Sequence, residues 1–126
     1  MTNPIRVLVA NRPRLMRELL LTTFADQPDI EIVGEVEDEA SIAAIVEKTL
    51  PDFLVIAQDN LNSRPALCDI VLRQHPIMRI IAVAPDENYS VQYWALVEIH
   101  SVNIQASEAG ILAALRGNSR LNGASQ

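Results

Sequence analysis

The sequence has little of several features that define broad classes of protein. It contains one cysteine, Cys68, which cannot form an intramolecular disulfide, and its start lacks the long apolar core of a signal peptide. Both absences predict a cytoplasmic protein. No apolar run approaches the ~20 residues that cross a bilayer, so we expect no membrane association. The 10 basic and 16 acidic residues give a net charge of -6, which argues against direct binding to nucleic acid or anionic lipid.

Motifs for phosphate binding, nucleophilic catalysis and metal binding are missing as well. No glycine follows the first apolar run, which excludes the usual dinucleotide and P-loop motifs. The two histidines, His75 and His100, are expected at the amino side of the sheet, away from any candidate nucleophile. Acidic residues do not gather after the apolar runs. We therefore predict that the domain is not an enzyme and holds neither a metal nor a cofactor.

What the sequence does contain is a series of apolar runs separated by amphipathic stretches. The central run, Phe53–Ala57, is unbroken, which is typical of a strand covered on both faces, and similar runs lie on either side of it, at Ile5–Ala10 and Ile80–Ala84. Their alternation with helical periodicity predicts an α/β fold, with a parallel sheet between two layers of helices. In such sheets ligands bind beyond the carboxyl ends of the strands, so the residues after each run are the functional candidates.

Other strands and helices are predicted from weaker patterns. Residues 30–36 predict a partly exposed edge strand, and residues 101–105 predict a short last strand. Before that last strand we expect a fourth helix, with Val91, Ala95 and Leu96 facing the sheet.

The C-terminal part predicts a last helix and little after it. Ser107 is suited to cap this helix, and Gly117 to end it. We predict one folded domain over residues 1–116, followed by a flexible tail or the start of a linker over residues 117–126.

The whole pattern resembles the receiver domain of bacterial two-component response regulators, particularly the subfamily with helix-turn-helix output domains. The likeness extends over residues 5–116. It is carried by Ile5–Ala10 followed by Leu-Met-Arg-Glu-Leu-Leu (15–20), by Pro-Asp-Ile-Glu-Ile-Val-Gly-Glu-Val (28–36), by Leu-Pro-Asp-Phe-Leu-Val-Ile (50–56), by His-Pro (75–76) before Arg-Ile-Ile-Ala-Val (79–83), and by Ile-Leu-Ala-Ala-Leu-Arg (111–116). The resemblance implies a CheY-like, flavodoxin-like three-layer sandwich, with a five-stranded parallel sheet in the order 2-1-3-4-5 and five helices.

Working members of this family phosphorylate themselves with a few residues at the strand ends. Two acidic residues after the first strand hold magnesium, an aspartate after the third accepts the phosphoryl group, and a serine or threonine after the fourth and a lysine after the fifth contact it. The matching positions here, which form a degenerate phosphorylation pocket, are Asn11, Arg12, Ala57, Ala84 and Ile104. None keeps the family residue, so the resemblance implies a pseudo-receiver.

Two alternatives concern the residues around this pocket. Asp59, two residues past Ala57, is a candidate displaced acceptor, but without acidic magnesium ligands it lacks the ion that neutralises an incoming phosphoryl group. We therefore favour a loop-capping or solvated role for Asp59. Alternatively, Asn11, Arg12, Asp59 and Asn60 face a polar or anionic metabolite.

Three aromatic residues, Tyr89, Tyr93 and Trp94, fall on the predicted fourth helix. They span several directions around a helix, so not all face inward, and an exposed ring is a typical protein interaction anchor. The resemblance adds that the fourth helix, fifth strand and fifth helix form a common signalling or dimer surface. Helices one and five form the other common dimer surface.

Two functions follow as hypotheses. The first is an atypical, phosphorylation-independent receiver domain that acts as a non-catalytic interaction module in bacterial signal transduction or transcription regulation, with a protein partner or a second copy. The second is a small-ligand sensor at the carboxyl edge. Any contact with DNA would be made by a separate output domain.

Overall fold

The computed structural model describes residues 3–59, 63–84, 89–95 and 99–124, with side chains described up to residue 117. The strands and helices, in chain order, are β1 (Ile5–Ala10), α1 (Arg14–Ala25), β2 (Ile30–Glu35), α2 (Ile42–Thr49), β3 (Phe53–Ala57), α3 (Ala66–Gln74), β4 (Arg79–Ala84), β5 (Tyr89–Ala95), β6 (Ile99–Gln105) and α4 (Glu108–Ala124). A 3-10 turn, Glu39–Ser41, leads into α2.

The strands form one sheet in the order β2-β1-β3-β4-β5-β6. β2, β1, β3 and β4 are parallel, and Leu54 of β3 lies between Leu8 of β1 and Ile80 of β4. β5 runs antiparallel to β4, and β6 runs antiparallel to β5. The first four strands therefore have the predicted order and direction.

The prediction of a fourth helix is wrong. The segment that holds Val91 and Ala95 is strand β5, while Leu96 lies outside the described residues. Tyrosine, valine and tryptophan suit a pleated sheet, and β5 pairs along the edge of β4, whose backbone groups need partners in the folded chain. The predicted last strand is present as β6, but it lies one strand further from β4.

The fold class is thus correct at the coarse level and wrong in detail. The chain is an α/β domain with helices on both faces of a sheet, which fits a flavodoxin-like fold. The predicted five parallel strands with five helices are replaced by six strands in a mixed sheet and, in the described part of the chain, four α-helices.

Alternate residues of the central strands contribute to two apolar cores. Leu8 and Leu54 pack with α2 and α3, whereas Val7 and Val55 pack with α1 and α4, and all four side chains are fully buried. Burial of one such side chain is worth about 1.5–3 kcal/mol. Burial on both faces therefore holds the central strands in place.

The last helix begins as predicted and ends later than predicted. The Gly110 N–H donates a hydrogen bond to Ser107 Oγ at 3.0 Å, which confirms the expected cap. A Cβ atom at Gly110 would lie 2.5 Å from the Gln105 carbonyl oxygen, so only glycine permits this close approach to the end of β6. The expected helix end at Gly117 is wrong, since α4 continues to Ala124. The domain boundary at residue 116 stays a prediction.

None of the described helices is both long enough and apolar enough to cross a membrane.

Candidate functional site

The carboxyl ends of β1, β3 and β4 lie side by side at one edge of the sheet. Asn11 and Arg12 follow β1, Ala57 ends β3, and Ala84 ends β4. Parallel neighbouring strands end at the same edge, so these four of the five predicted pocket residues come together. We call Asn11, Arg12, Ala57 and Ala84 the edge site.

Asn11 connects β1 to β3 at this edge. Its side chain is buried, and its Nδ2 donates a hydrogen bond to the Ile56 carbonyl oxygen at 2.9 Å. The Asn11 carbonyl oxygen accepts a hydrogen bond from Arg17 Nη1 at 3.1 Å, and Arg17 Nε donates to Glu35 Oε2 at 2.7 Å. Asn11 therefore has a structural role, and its neutral amide adds no negative charge to the edge.

Arg12 is the only charged member of the edge site. Its Nη1 donates a hydrogen bond to Asp59 Oδ1 at 3.0 Å, and its Nε lies 3.7 Å from Glu39 Oε1. The hydrogen bond to Asp59 is the main cause that raises the pKa of Arg12 above its ordinary value. Because the Arg12 and Asp59 side chains are 51% and 78% exposed, the pair contributes only ~0.2–1 kcal/mol. The guanidinium is therefore accessible to a competing anion.

A shallow pocket of about 250 Å³ opens beside Ala57. Its lining residues are Arg12, Glu39, Ala57, Asp59, Ser63, Pro65, Ala66 and Leu67. At the end of the central strand, Ala57 contributes a methyl group, which has no oxygen to attack phosphorus. Among the described residues, no group of three or more His, Cys, Asp or Glu side chains is placed to hold a metal ion.

Ile104 does not join the edge site. Strand β5 lies between β4 and β6, and Ser90 of β5 pairs with both Val83 and Ile104. Two strand spacings, ~10 Å, therefore separate Ile104 from β4. Ile104 instead packs at the margin of the apolar core under α4. The fifth predicted pocket residue therefore lies away from the other four.

The three aromatic residues lie on strand β5 and not on a helix, and they differ in face and in burial. Tyr93 is buried, Tyr89 is exposed, and Trp94 is half-buried on the opposite face of β5. The Trp94 ring stacks on His100 with centroids 5.4 Å apart, and the Arg79 guanidinium carbon lies 5.8 Å from the Trp94 centroid. Within the described part of β5, Tyr89 is therefore the one exposed aromatic residue.

Sequence reasoning missed several residues around the edge site. Gln58 is buried, its N–H donates to the Val83 carbonyl oxygen at 2.9 Å, and its Oε1 accepts a hydrogen bond from the Tyr93 hydroxyl at 2.8 Å. Burial is the main cause that raises the pKa of Tyr93, so this hydroxyl stays protonated and donates. A polar residue directly after an unbroken apolar strand was the available signal for Gln58.

Loop residues complete the surroundings of the site. Glu39 reaches Arg12 because the loop after β2 also lies at the carboxyl edge, and Ser63 lines the pocket. The topology predicts that these loops lie at the carboxyl edge, but it does not predict which of their side chains come into contact. Asn60, the remaining predicted ligand-facing residue, lies outside the described residues.

The fold and the edge site define an α/β domain in which the carboxyl edge of the sheet carries a half-exposed arginine, two acidic loop residues and an alanine. The chain is 27% identical over 106 residues to protein-glutamate methylesterase/protein-glutamine glutaminase 2 of Oleidesulfovibrio alaskensis, a match that covers 82% of this chain and 30% of that protein. It is 28% identical over 102 residues to the protein-glutamate methylesterase/protein-glutamine glutaminase of group 3 operon of Bradyrhizobium diazoefficiens, covering 79% and 28% of the two chains. It is also 27% identical over 90 residues to the transcriptional regulatory protein DegU of Brevibacillus brevis, covering 69% and 38%.

These similarities agree with the resemblance to response-regulator receiver domains, at low identity. The chain spans between 28% and 38% of the length of these curated relatives. No family model matches the chain.

Proposed function

We propose that this chain is an atypical receiver domain that works without phosphorylation, as a non-catalytic protein-interaction module in bacterial signal transduction or transcription regulation. The observation that carries the proposal is Ala57 at the carboxyl end of the central strand β3. The resemblance assigns the phosphoacceptor to this position, and an alanine there has no nucleophile.

The charges at the edge site support the same proposal. Phosphoryl transfer to a carboxylate needs a divalent cation held by acidic side chains, since both reactants are anionic. Here the position after β1 carries Arg12, whose positive charge already pairs with Asp59 and Glu39. A bound divalent cation would have to displace this guanidinium. In this proposal the Arg12 side chain keeps the domain in one conformation, whereas phosphorylation of a working receiver selects between two conformations.

Phosphorylation chemistry provides the test. We expect incubation with acetyl phosphate and Mg²⁺ to leave the intact mass of the wild-type chain unchanged. The Arg12→Asp/Ala57→Asp variant places two carboxylates on the same scaffold and is tested beside the wild-type chain. Labelling of this variant alone would be attributed to these two positions. Stoichiometric labelling of the wild-type chain that disappears in Asp59→Asn would make Asp59 a displaced acceptor and overturn the proposal.

A ligand sensor is the second candidate, favoured by one observation. The pocket beside Ala57 exposes the guanidinium of Arg12 and the residue Ser63 at a strand edge, where anions are bound in many α/β domains. A ligand present at 100 times its Kd raises the free energy of unfolding by about 2.7 kcal/mol. A thermal-shift screen of carboxylate and phosphate metabolites, with inorganic phosphate included, should then yield a compound whose stabilisation is lost in Arg12→Gln. If none stabilises the protein, this candidate is rejected.

A further inference from the structure

The two edges of the sheet differ in how they are protected against pairing with another strand. At one edge, β2 carries the exposed carboxylates of Glu31 and Glu35, and its register with β1 shifts between Val7 and Leu8. Charges and irregular register are the usual means by which a sheet edge avoids intermolecular pairing. The β2 edge is therefore protected.

The edge strand β6 has neither kind of protection. Its seven residues pair with β5 in continuous register from Ile99 to Gln105, and no Lys, Arg, Asp, Glu or Pro interrupts them. Its one ionisable residue, His100, stacks on Trp94. The three central residues are exposed, and Val102 keeps 40% of its surface accessible. Within the described residues, β6 pairs only with β5, so its other side is open.

We infer that the open side of β6 pairs with β6 of a second copy of this chain, antiparallel and about a two-fold axis at Val102. This joins the two sheets into one. The inference rests on the proposed function only because it treats the domain as an interaction module. It adds the identity of the partner, which is a second copy of this chain.

The sequence of β6 is self-complementary in this register. Val102 lies opposite its own copy, and His100 lies opposite Ile104, all on the face that packs under α4. On the other face Ser101 lies opposite Asn103. An isologous two-fold interface requires that a surface match itself, and here apolar residues meet at the axis while polar residues meet across the other face.

The absence of acidic residues from β6 permits pairing with a second copy. Each chain has a net charge of -6, so two copies repel each other in general. The β6 strand contains no acidic residue, and pairing there places no carboxylates opposite each other. A basic partner peptide would be drawn to acidic residues, which this strand does not offer.

The oligomeric state of the full chain tests the inference. We expect sedimentation equilibrium to show a dimer for the wild-type chain and a monomer for Val102→Lys, because the variant places two lysines opposite each other at the axis. Ile77→Lys is the matched control: it makes the same change of charge at an exposed aliphatic residue in the turn after α3, and it should remain dimeric. A monomeric wild-type chain, or a dimeric Val102→Lys, would overturn the inference.

Cross-linking gives a second measurement that does not depend on a disruptive variant. In the proposed register, Val102→Cys brings two cysteines opposite each other, within the range of a disulfide. Gln105→Cys places its two cysteines ~20 Å apart, and the native Cys68 is buried. Mild oxidation should give a covalent dimer of the first variant only. Equal cross-linking of both variants, or of neither, would contradict the register. These results are independent of phosphoryl labelling, so either proposal can fail without the other.

Discussion

Gln92 offers a sharp test of the mixed sheet, because its side-chain amide is buried and, within the described part of the chain, unpaired. Its side chain is 0% exposed, and neither its Oε1 nor its Nε2 has a partner among the described residues. It lies on β5 between Ile81 and Val102, on the face covered by α4. If residues 89–95 formed the helix that the sequence suggested, Gln92 would not lie at this central position.

We expect Gln92→Leu to stabilise the protein. Burial of an unpaired polar group costs about 1–3 kcal/mol in proteins, and leucine has a similar size without that cost. The free energy of unfolding should therefore rise by ~1–3 kcal/mol. For a domain of this length, 1 kcal/mol corresponds to a change in Tm of roughly 4 °C. Equilibrium unfolding in urea measures the difference directly.

Gln58→Leu is the matched control, because Gln58 is a buried glutamine with a known partner. It is 2% exposed, and its Oε1 accepts the hydrogen bond from Tyr93. Leucine there leaves the Tyr93 hydroxyl without a partner, so the free energy of unfolding should fall by ~1–3 kcal/mol. Gln58→Leu/Tyr93→Phe removes both partners and should recover part of that loss. If Gln92→Leu destabilised the protein as much as Gln58→Leu, the Gln92 amide would be hydrogen-bonded in solution and the reasoning would be refuted.

Two further predictions concern ionisable groups. Cys68 is fully buried, and burial raises the pKa of its thiol to about 12, so a thiol reagent at neutral pH should react only after unfolding; rapid reaction of the native chain would contradict this burial. The hydrogen bond from Arg116 at 2.8 Å is the main cause that lowers the pKa of Asp29. The small stability that this pair contributes is present above the unfolded pKa of about 3.9 and is lost as the pH falls through the lower folded value. Carboxyl NMR titration should show a higher Asp29 pKa in Arg116→Gln, and an unchanged pKa would mean that the pair does not form in solution.

The central part of the fold follows directly from the sequence. The strands Ile5–Ala10, Phe53–Ala57 and Arg79–Ala84 are predominantly apolar, and consecutive residues in the middle of each strand are buried because the sheet is covered on both faces. The amphipathic stretch after the first run forms α1, in which Leu20 and Phe24 pack on the sheet while Leu15 and Leu19 are exposed. Position along these strands is sufficient to place Asn11, Arg12, Ala57 and Ala84 at one edge of the sheet.

The segment 89–95 shows where local pattern was insufficient. Both faces are buried in the middle of this segment, and two of the buried residues, Ser90 and Gln92, are polar, so the hydrophobicity does not alternate as it does in a half-exposed strand. The neighbour decides its structure: β4 needs hydrogen-bond partners along its edge, and β5 supplies them from an antiparallel direction. Because β5 lies beside β4, Ile104 lies away from the edge site and β6 forms the edge of the sheet.

By itself, the sequence determined that this protein is an α/β domain whose central strand ends in a residue without a nucleophile. This is so because burial on both faces of a strand requires an apolar run, and the last residue of that run is then identified from its position in the sequence. Only the tertiary structure decided which strands are neighbours, and therefore that Arg12 meets Asp59 and Glu39 and that β6 is left open. Pairing between distant segments depends on backbone hydrogen bonds and loop geometry, which leave little trace in residue type.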